Sequence, residues 1–142
     1  MHFIAIDPAA QCGIVHFTDS GDITTYTCDL LSVKPLLASL IVPGDKYTIY
    51  IEKPPSGLHG AACVRFAGKL IEDWLRSEYP RKMTFKHVNP NVWQAVARKQ
   101  LGLDRTTDTK EVARLICDRH QIGYDSQDAA DAVAMLITQL SS

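Results

Sequence analysis

Residues 2–28, HFIAIDPAAQCGIVHFTDSGDITTYTC, decide the fold. Three runs rich in apolar and β-branched residues, HFIAID (2–7), CGIVHFT (12–18) and DITTYTC (22–28), are joined by turn-forming PAAQ and by DSGD with its Gly21. Runs of that length with connections that short predict a three-stranded antiparallel meander. Working outward, YTIYIE (47–52) predicts a central strand and MTFKHV (83–88) a further one. Elsewhere the apolar period is helical. SVKPLLASLI (32–41) predicts a short helix with Ser32 as its cap and Pro35 in its first turn. Longer helices are predicted over 61–79, over 89–101 with Gly102 as the stop, over 108–120, and over 126–140 with Ser126 as the cap. The order βββαβαβα, with further helices at the end, predicts an α/β domain. Its mixed five-stranded sheet has three antiparallel strands, then two parallel, flanked by helices.

The 142 residues suit one domain spanning 1–142, and 46% hydrophobic with 22% charged residues is ordinary globular composition. No apolar run approaches the roughly 18 residues of a membrane span, and MHFIAID lacks a secretion signal, so a cytoplasmic protein is expected. Cys12, Cys28, Cys63 and Cys117 form no C-x-x-C pair, which argues for reduced thiols and against zinc. The net charge of −1 hides an uneven distribution. Residues 65–114 hold eleven Lys/Arg against six Asp/Glu, whereas residues 1–64 hold three against six. Such a chain can present a polyanion-binding part and a cation-binding part.

The acids fall at telling places. Asp7 ends the first strand and Glu52 the fourth; Asp128 and Asp131 lie three apart near the start of the last helix, on one face. The helix dipole alone would explain Asp128, by about 0.3–1 kcal/mol. It does not explain Asp131, set deeper among alanines. If strand one pairs in parallel with strand four and the last helix packs there, all four carboxylates meet. Their repulsion then calls for cations, and hard oxygen donors suit Mg²⁺ or Mn²⁺ rather than zinc. Two such ions can activate water and stabilise a leaving oxygen in phosphodiester cleavage.

"FIAIDPAAQCG" (3–13) resembles the opening strand and turn of RuvC-type Holliday junction resolvases, "IYIEKPP" (49–55) their fourth strand with its glutamate, and "DAADAVAMLIT" (128–138) their last helix with paired aspartates. "AVARKQLG" (95–102) and "DTKEVARLI" (108–116) resemble their basic helix and the Lys-bearing helix after it. The similarity spans essentially the whole chain, whose small size is closer to phage-type members. The resemblance implies a ribonuclease H-like fold, a homodimer, and Asp7, Glu52, Asp128 and Asp131 as catalytic ligands of two Mg²⁺ per site, with Mn²⁺ substituting. It also implies paired nicks in branched, four-way DNA. Lys110 matches a catalytic basic position, and Lys99, beside Arg98, a DNA-contacting one. Arg65, Lys69 and Arg76 lie on a helix whose family counterpart helps form the dimer, so their charge is expected to track DNA across the two-fold axis. The apolar stripe of that helix, Ala61, Ala62, Phe66, Leu70 and Trp74, is the expected interface. Lys53, beside Glu52, is placed either to touch DNA or to screen the acids.

Two departures bear on substrate choice. Ala9 follows Asp7-Pro8 where the family usually has Gly, and Pro55 stands where bacterial members carry a junction-wedging aromatic, which leaves either Leu58, His59 or Phe66 for that task or a looser substrate range. Trp74 and Trp93 read as core residues, and His16 and His87 as structural. The competing functions are a ribonuclease H-like nuclease acting on RNA or RNA–DNA hybrids, and a non-catalytic branched-DNA-binding module. The second is disfavoured, because a pure binder gains nothing from four negative charges where phosphate must approach.

Overall fold

Side-chain alternation assigns each strand face to a helical layer. In the computed structural model, which describes residues 1–54 and 61–141, five strands form one mixed sheet of order β3-β2-β1-β4-β5. The strands are β1 (His2–Asp7), β2 (Gln11–Thr18), β3 (Ile23–Asp29), β4 (Tyr47–Glu52) and β5 (Met83–Val88). β1–β2 and β2–β3 pair antiparallel, β1–β4 and β4–β5 parallel, as the sequence predicts. The helices are α1 (Val33–Leu40), α2 (Ala61–Glu78), α3 (Pro90–Leu101), α4 (Thr109–Arg119) and α5 (Gln127–Leu140). Among the described residues no helix is long and apolar enough to cross a membrane.

Ile4, Ile6, Ile14, Ile49 and Ile51 face one side, where Val33 and Leu37 of α1 and Ile71 and Leu75 of α2 cover them. Ala5, Val15 and Tyr50 face the other, under Trp93 of α3, Val112 and Ile116 of α4 and Val133 and Leu136 of α5. β1 and β4 are therefore buried on both faces, which is why they read as near-continuous apolar runs.

Local signals place the helix ends. Asn89 Oδ1 accepts from Asn91 N, Pro90 opens α3, and Gly102 closes it at φ 69°. Asp108 Oδ1 accepts from Lys110 N at the start of α4, and Ser126 Oγ accepts from Ala129 N at the start of α5. Ser32 departs from its predicted role, since its side chain makes no capping hydrogen bond. Asp29 Oδ1 accepts from Ser32 N instead, initiating a 3-10 turn over Leu30–Ser32 that runs into α1. The acid at the end of β3 outcompetes the serine because a 3-10 turn moves the first unsatisfied N–H groups back by three residues.

Candidate active site

Parallel pairing of β1 with β4 sets Ile6 opposite Ile51, so the following residues, Asp7 and Glu52, stand side by side at the carboxyl edge of the sheet. Alternation puts both on the Ala5/Tyr50 face, towards α3 and α5. The carboxyl edge of an open α/β sheet is where such folds form their crevices. Asp7 pairs across the antiparallel ladder with Gly13. The first turn of α5 lies directly on that glycine: a Cβ at position 13 would fall 1.9 Å from the Asp128 carbonyl oxygen. Only a bare backbone lets α5 approach β2 this closely, and that approach brings Asp128 to Asp7.

The start of α5 is held from β3 as well. Thr27, the ladder partner of Gly13, donates its hydroxyl to Asp125 Oδ1 at 2.8 Å and lies 2.5 Å from Ser126 Oγ. One helical turn on from Asp128, Asp131 completes the group. Its Oδ1 accepts from Gln127 Nε2 at 2.9 Å, and the same amide donates to the Lys110 carbonyl at 3.2 Å, tying α5 to α4. Glu52 Oε2 accepts from the indole Nε1 of Trp93 at 2.7 Å.

The electrostatics are those of crowded acids. Burial, followed by the charges of Glu52, Asp131 and Asp128, holds the Asp7 carboxyl well above the usual carboxylate range. Burial lifts Glu52 to about 7, aided by Asp131 and opposed by the Trp93 hydrogen bond. Asp131 is lifted to about 6, again chiefly by burial, and Asp128 is also raised, with Lys110 opposing in both cases. Among the described residues, no Lys, Arg or His forms an ion pair with any of the four. In donor chemistry the set fits a hard divalent cation: oxygen ligands only, mutually repelling, with no protein counter-charge in contact. In geometry, no three His, Cys, Asp or Glu side chains among the described residues are disposed to hold one ion. The carboxylates influence one another without closing on a point, and two of them are turned to protein N–H donors.

The basic residues separate into distinct groups. Lys110, exposed in the first turn of α4, lies close enough to Asp128 and Asp131 to lower both. Lys53, Arg65 and Lys69 line a groove of about 330 Å³ that opens from Glu52 between α2 and the ends of β4 and β5. Lys69 also pairs with Asp73 at 3.4 Å. Lys99 is exposed on α3. Arg98 is engaged internally: its guanidinium donates to Thr107 O at 2.7 and 3.2 Å and to Thr109 Oγ1 at 3.2 Å, bracing α3 against the start of α4. Arg76 is likewise committed, donating to Glu72 Oε2 and lying over the Phe85 ring. Glu72 also takes His87 Nε2, and His16 pairs with His2 towards the opposite end of the sheet. Pro55, Leu58 and His59 lie outside the described residues.

Of the stripe expected on α2, Phe66 is 65% and Leu70 42% exposed, while a different row, Ala67, Ile71 and Leu75, is buried against the sheet. Trp74 is half-buried, edge-on to Tyr79. Trp93 is a core residue as expected, 1% exposed, but its bond to Glu52 is absent from that reading. The available signal was general, since a buried indole N–H needs an acceptor.

No family profile and no curated protein matches the sequence. The chain is similar in fold to RuvC of T. thermophilus, solved in complex with a Holliday junction substrate. The TM-score is 0.58 at 14% identity, covering 99% of this chain and 93% of that one. The likeness is one of fold, over almost the full length of both.

Proposed function

We propose that residues 1–142 form one metal-dependent endonuclease domain that resolves four-way DNA junctions by paired phosphodiester hydrolysis. The observation that carries this reading is the gathering of Asp7, Glu52, Asp128 and Asp131 at the carboxyl edge of the sheet, with no contacting counter-cation among the described residues. The junction as substrate is suggested by the fold neighbour, whose partner in its structure is a Holliday junction. Turned in on shared ions, the four carboxylates would hold two Mg²⁺, with Mn²⁺ able to substitute; as they stand among the described residues, no three converge on one ion. Bound there, the ions would supply Lewis acidity and lower the pKa of a water.

The chain's own residues account for the rest. Lys110 offers a positive charge beside Asp128 and Asp131 at the mouth of the site. Lys53, Arg65 and Lys69 line the groove leading away from Glu52 and are placed for flanking phosphates, as is Lys99 on α3. Arg98 serves by bracing α3 against α4. The outward face of α2 supports a two-fold dimer, because Phe66 and Leu70 join Leu31, 91% exposed, around an apolar hollow of about 270 Å³. A two-fold pair of sites matches the two equivalent strands of a junction.

The test is to incubate the protein and Mg²⁺ with matched four-way, three-way, flap and linear DNAs and an RNA–DNA hybrid, and to map the nicks. Symmetric nicks confined to the four-way junction are expected. Preferential cutting of the hybrid would replace this reading with a ribonuclease H activity. Junction binding without nicks in Mg²⁺ or Mn²⁺ would reduce the protein to a binding module.

A further inference from the structure

Trp93 lies near the start of α3, a helix whose entry is fixed by the Asn89 cap and by Pro90 immediately after β5. Its ring is enclosed in the layer formed by α3, α4 and α5. A buried indole N–H must find an acceptor or lose its hydrogen bond to water uncompensated. A backbone carbonyl would serve that need anywhere in a core. The acceptor here is instead Glu52 Oε2, 2.7 Å away and 41 positions distant in sequence. The bond occupies one carboxylate oxygen, and the other accepts no hydrogen bond from the described residues. Gln127 makes a comparable bond to Asp131, but from the same helix four residues away, where local geometry alone brings the pair together. Trp93 links a separate, rigidly packed element to the acid cluster.

We propose that Trp93 is a positioning residue for Glu52, whose N–H holds the carboxylate in one orientation and thereby sets the affinity of the acid cluster for a divalent cation. This inference rests on the reading of Asp7, Glu52, Asp128 and Asp131 as cation ligands. Groups that orient metal-binding side chains from outside typically alter affinity by 10–100-fold when removed.

The chain contains two tryptophans, so Trp74→Phe leaves Trp93 as the sole indole. Titrating that metal-free protein with Mg²⁺ should produce a saturable change in Trp93 emission that Glu52→Gln abolishes. In a second arm, Trp93→Phe keeps an aromatic ring but no donor. The Mg²⁺ concentration giving half the metal-dependent rise in Tm should increase about tenfold. A merely structural tryptophan would lower Tm at every Mg²⁺ concentration alike and leave that midpoint in place. An unchanged midpoint in Trp93→Phe, or an indole silent to Mg²⁺ while Tm responds, overturns the positioning role and leaves the ligand reading standing. If Tm and emission both ignore Mg²⁺ and Mn²⁺ in the wild type, the ligand reading falls and this inference with it. Should Trp93→Phe not fold, the emission titration decides alone.

Discussion

Asp7 illustrates how far one side chain can be read. Its place at the end of an apolar strand is visible in the sequence, but its company is not: burial and three neighbouring acids raise its carboxyl together. On the proposed reading, replacing Asp7 or Asp128 or Asp131 with Asn, or Glu52 with Gln, would remove an oxygen ligand and a negative charge near phosphate. Metal-dependent cleavage should fall by more than about a hundredfold in each variant, beyond the loss typical of supporting residues. Junction binding in a mobility shift should be retained or tighten. Near-wild-type turnover in any variant would exclude that residue from the site. The same carboxyls imply a pH dependence for the metal-free protein. Glu52 rises from 4.5 to about 7 and Asp131 from 3.8 to about 6, so the folded state binds their protons more tightly than the unfolded chain. The resulting stabilisation is complete below about pH 4 and is lost as pH rises through 6 to 7, amounting to about 3 kcal/mol for Glu52 alone. Thermal melts should therefore show Tm decreasing between about pH 5 and 8 without metal, less steeply in Glu52→Gln. A profile identical in the two proteins would mean that Glu52 is solvated.

At the scale of elements, the decisive contact is α5 on β2. Gly13 is needed for close approach, and a methyl there would meet backbone, which cannot rotate aside. Gly13→Ala should cost at least about 1–3 kcal/mol and should lower cleavage with it, because relieving the clash moves Asp128 away from Asp7. Gly68 on α2 is the contrast. A Cβ there would be 3.4 Å from Ile51 Cγ2, an ordinary contact, and Ala is favoured over Gly in a helix by about 1 kcal/mol. Thermal melts of the two variants side by side check the argument, which fails if Gly13→Ala is as stable as Gly68→Ala. Helix starts show the limits of local reading. Ser126 caps as expected, whereas Ser32 yields to Asp29. Both serines precede helical runs; what separates them is whether a 3-10 turn intervenes, and that depends on how the chain leaves β3.

For the whole molecule, a chain of net charge −1 must concentrate its cations to hold DNA. On the proposed reading, Lys53, Arg65 and Lys69 beside Glu52, and Lys110 beside Asp128, would provide that concentration. A two-fold axis across the open face of α2 would double it, so junction affinity should weaken steeply with salt. Light scattering at micromolar protein should give about twice the chain mass. Phe66→Asp should return a folded monomer, since Phe66 is 65% exposed and gives no support to the core. A monomeric wild type that still makes paired, symmetric nicks would rule out this arrangement.

The sequence by itself determined the elements, the mixed sheet and the acids that end two strands and open the last helix. These rest on periodicity, turn residues and strand ends, which involve neighbours along the chain. Only the tertiary structure decided what depends on distance across it. The indole of Trp93 serves Glu52 from 41 residues away, and Thr27 holds the start of α5 from 99. Arg98, one more cation on a basic helix when read in sequence, turns inward to Thr107 and Thr109. On α2 the sheet takes the row Ala67, Ile71 and Leu75 and leaves Phe66 and Leu70 of the expected stripe exposed, because it covers only the side it touches. A side chain's type announces which bonds it must satisfy; the packing of elements chooses the partner.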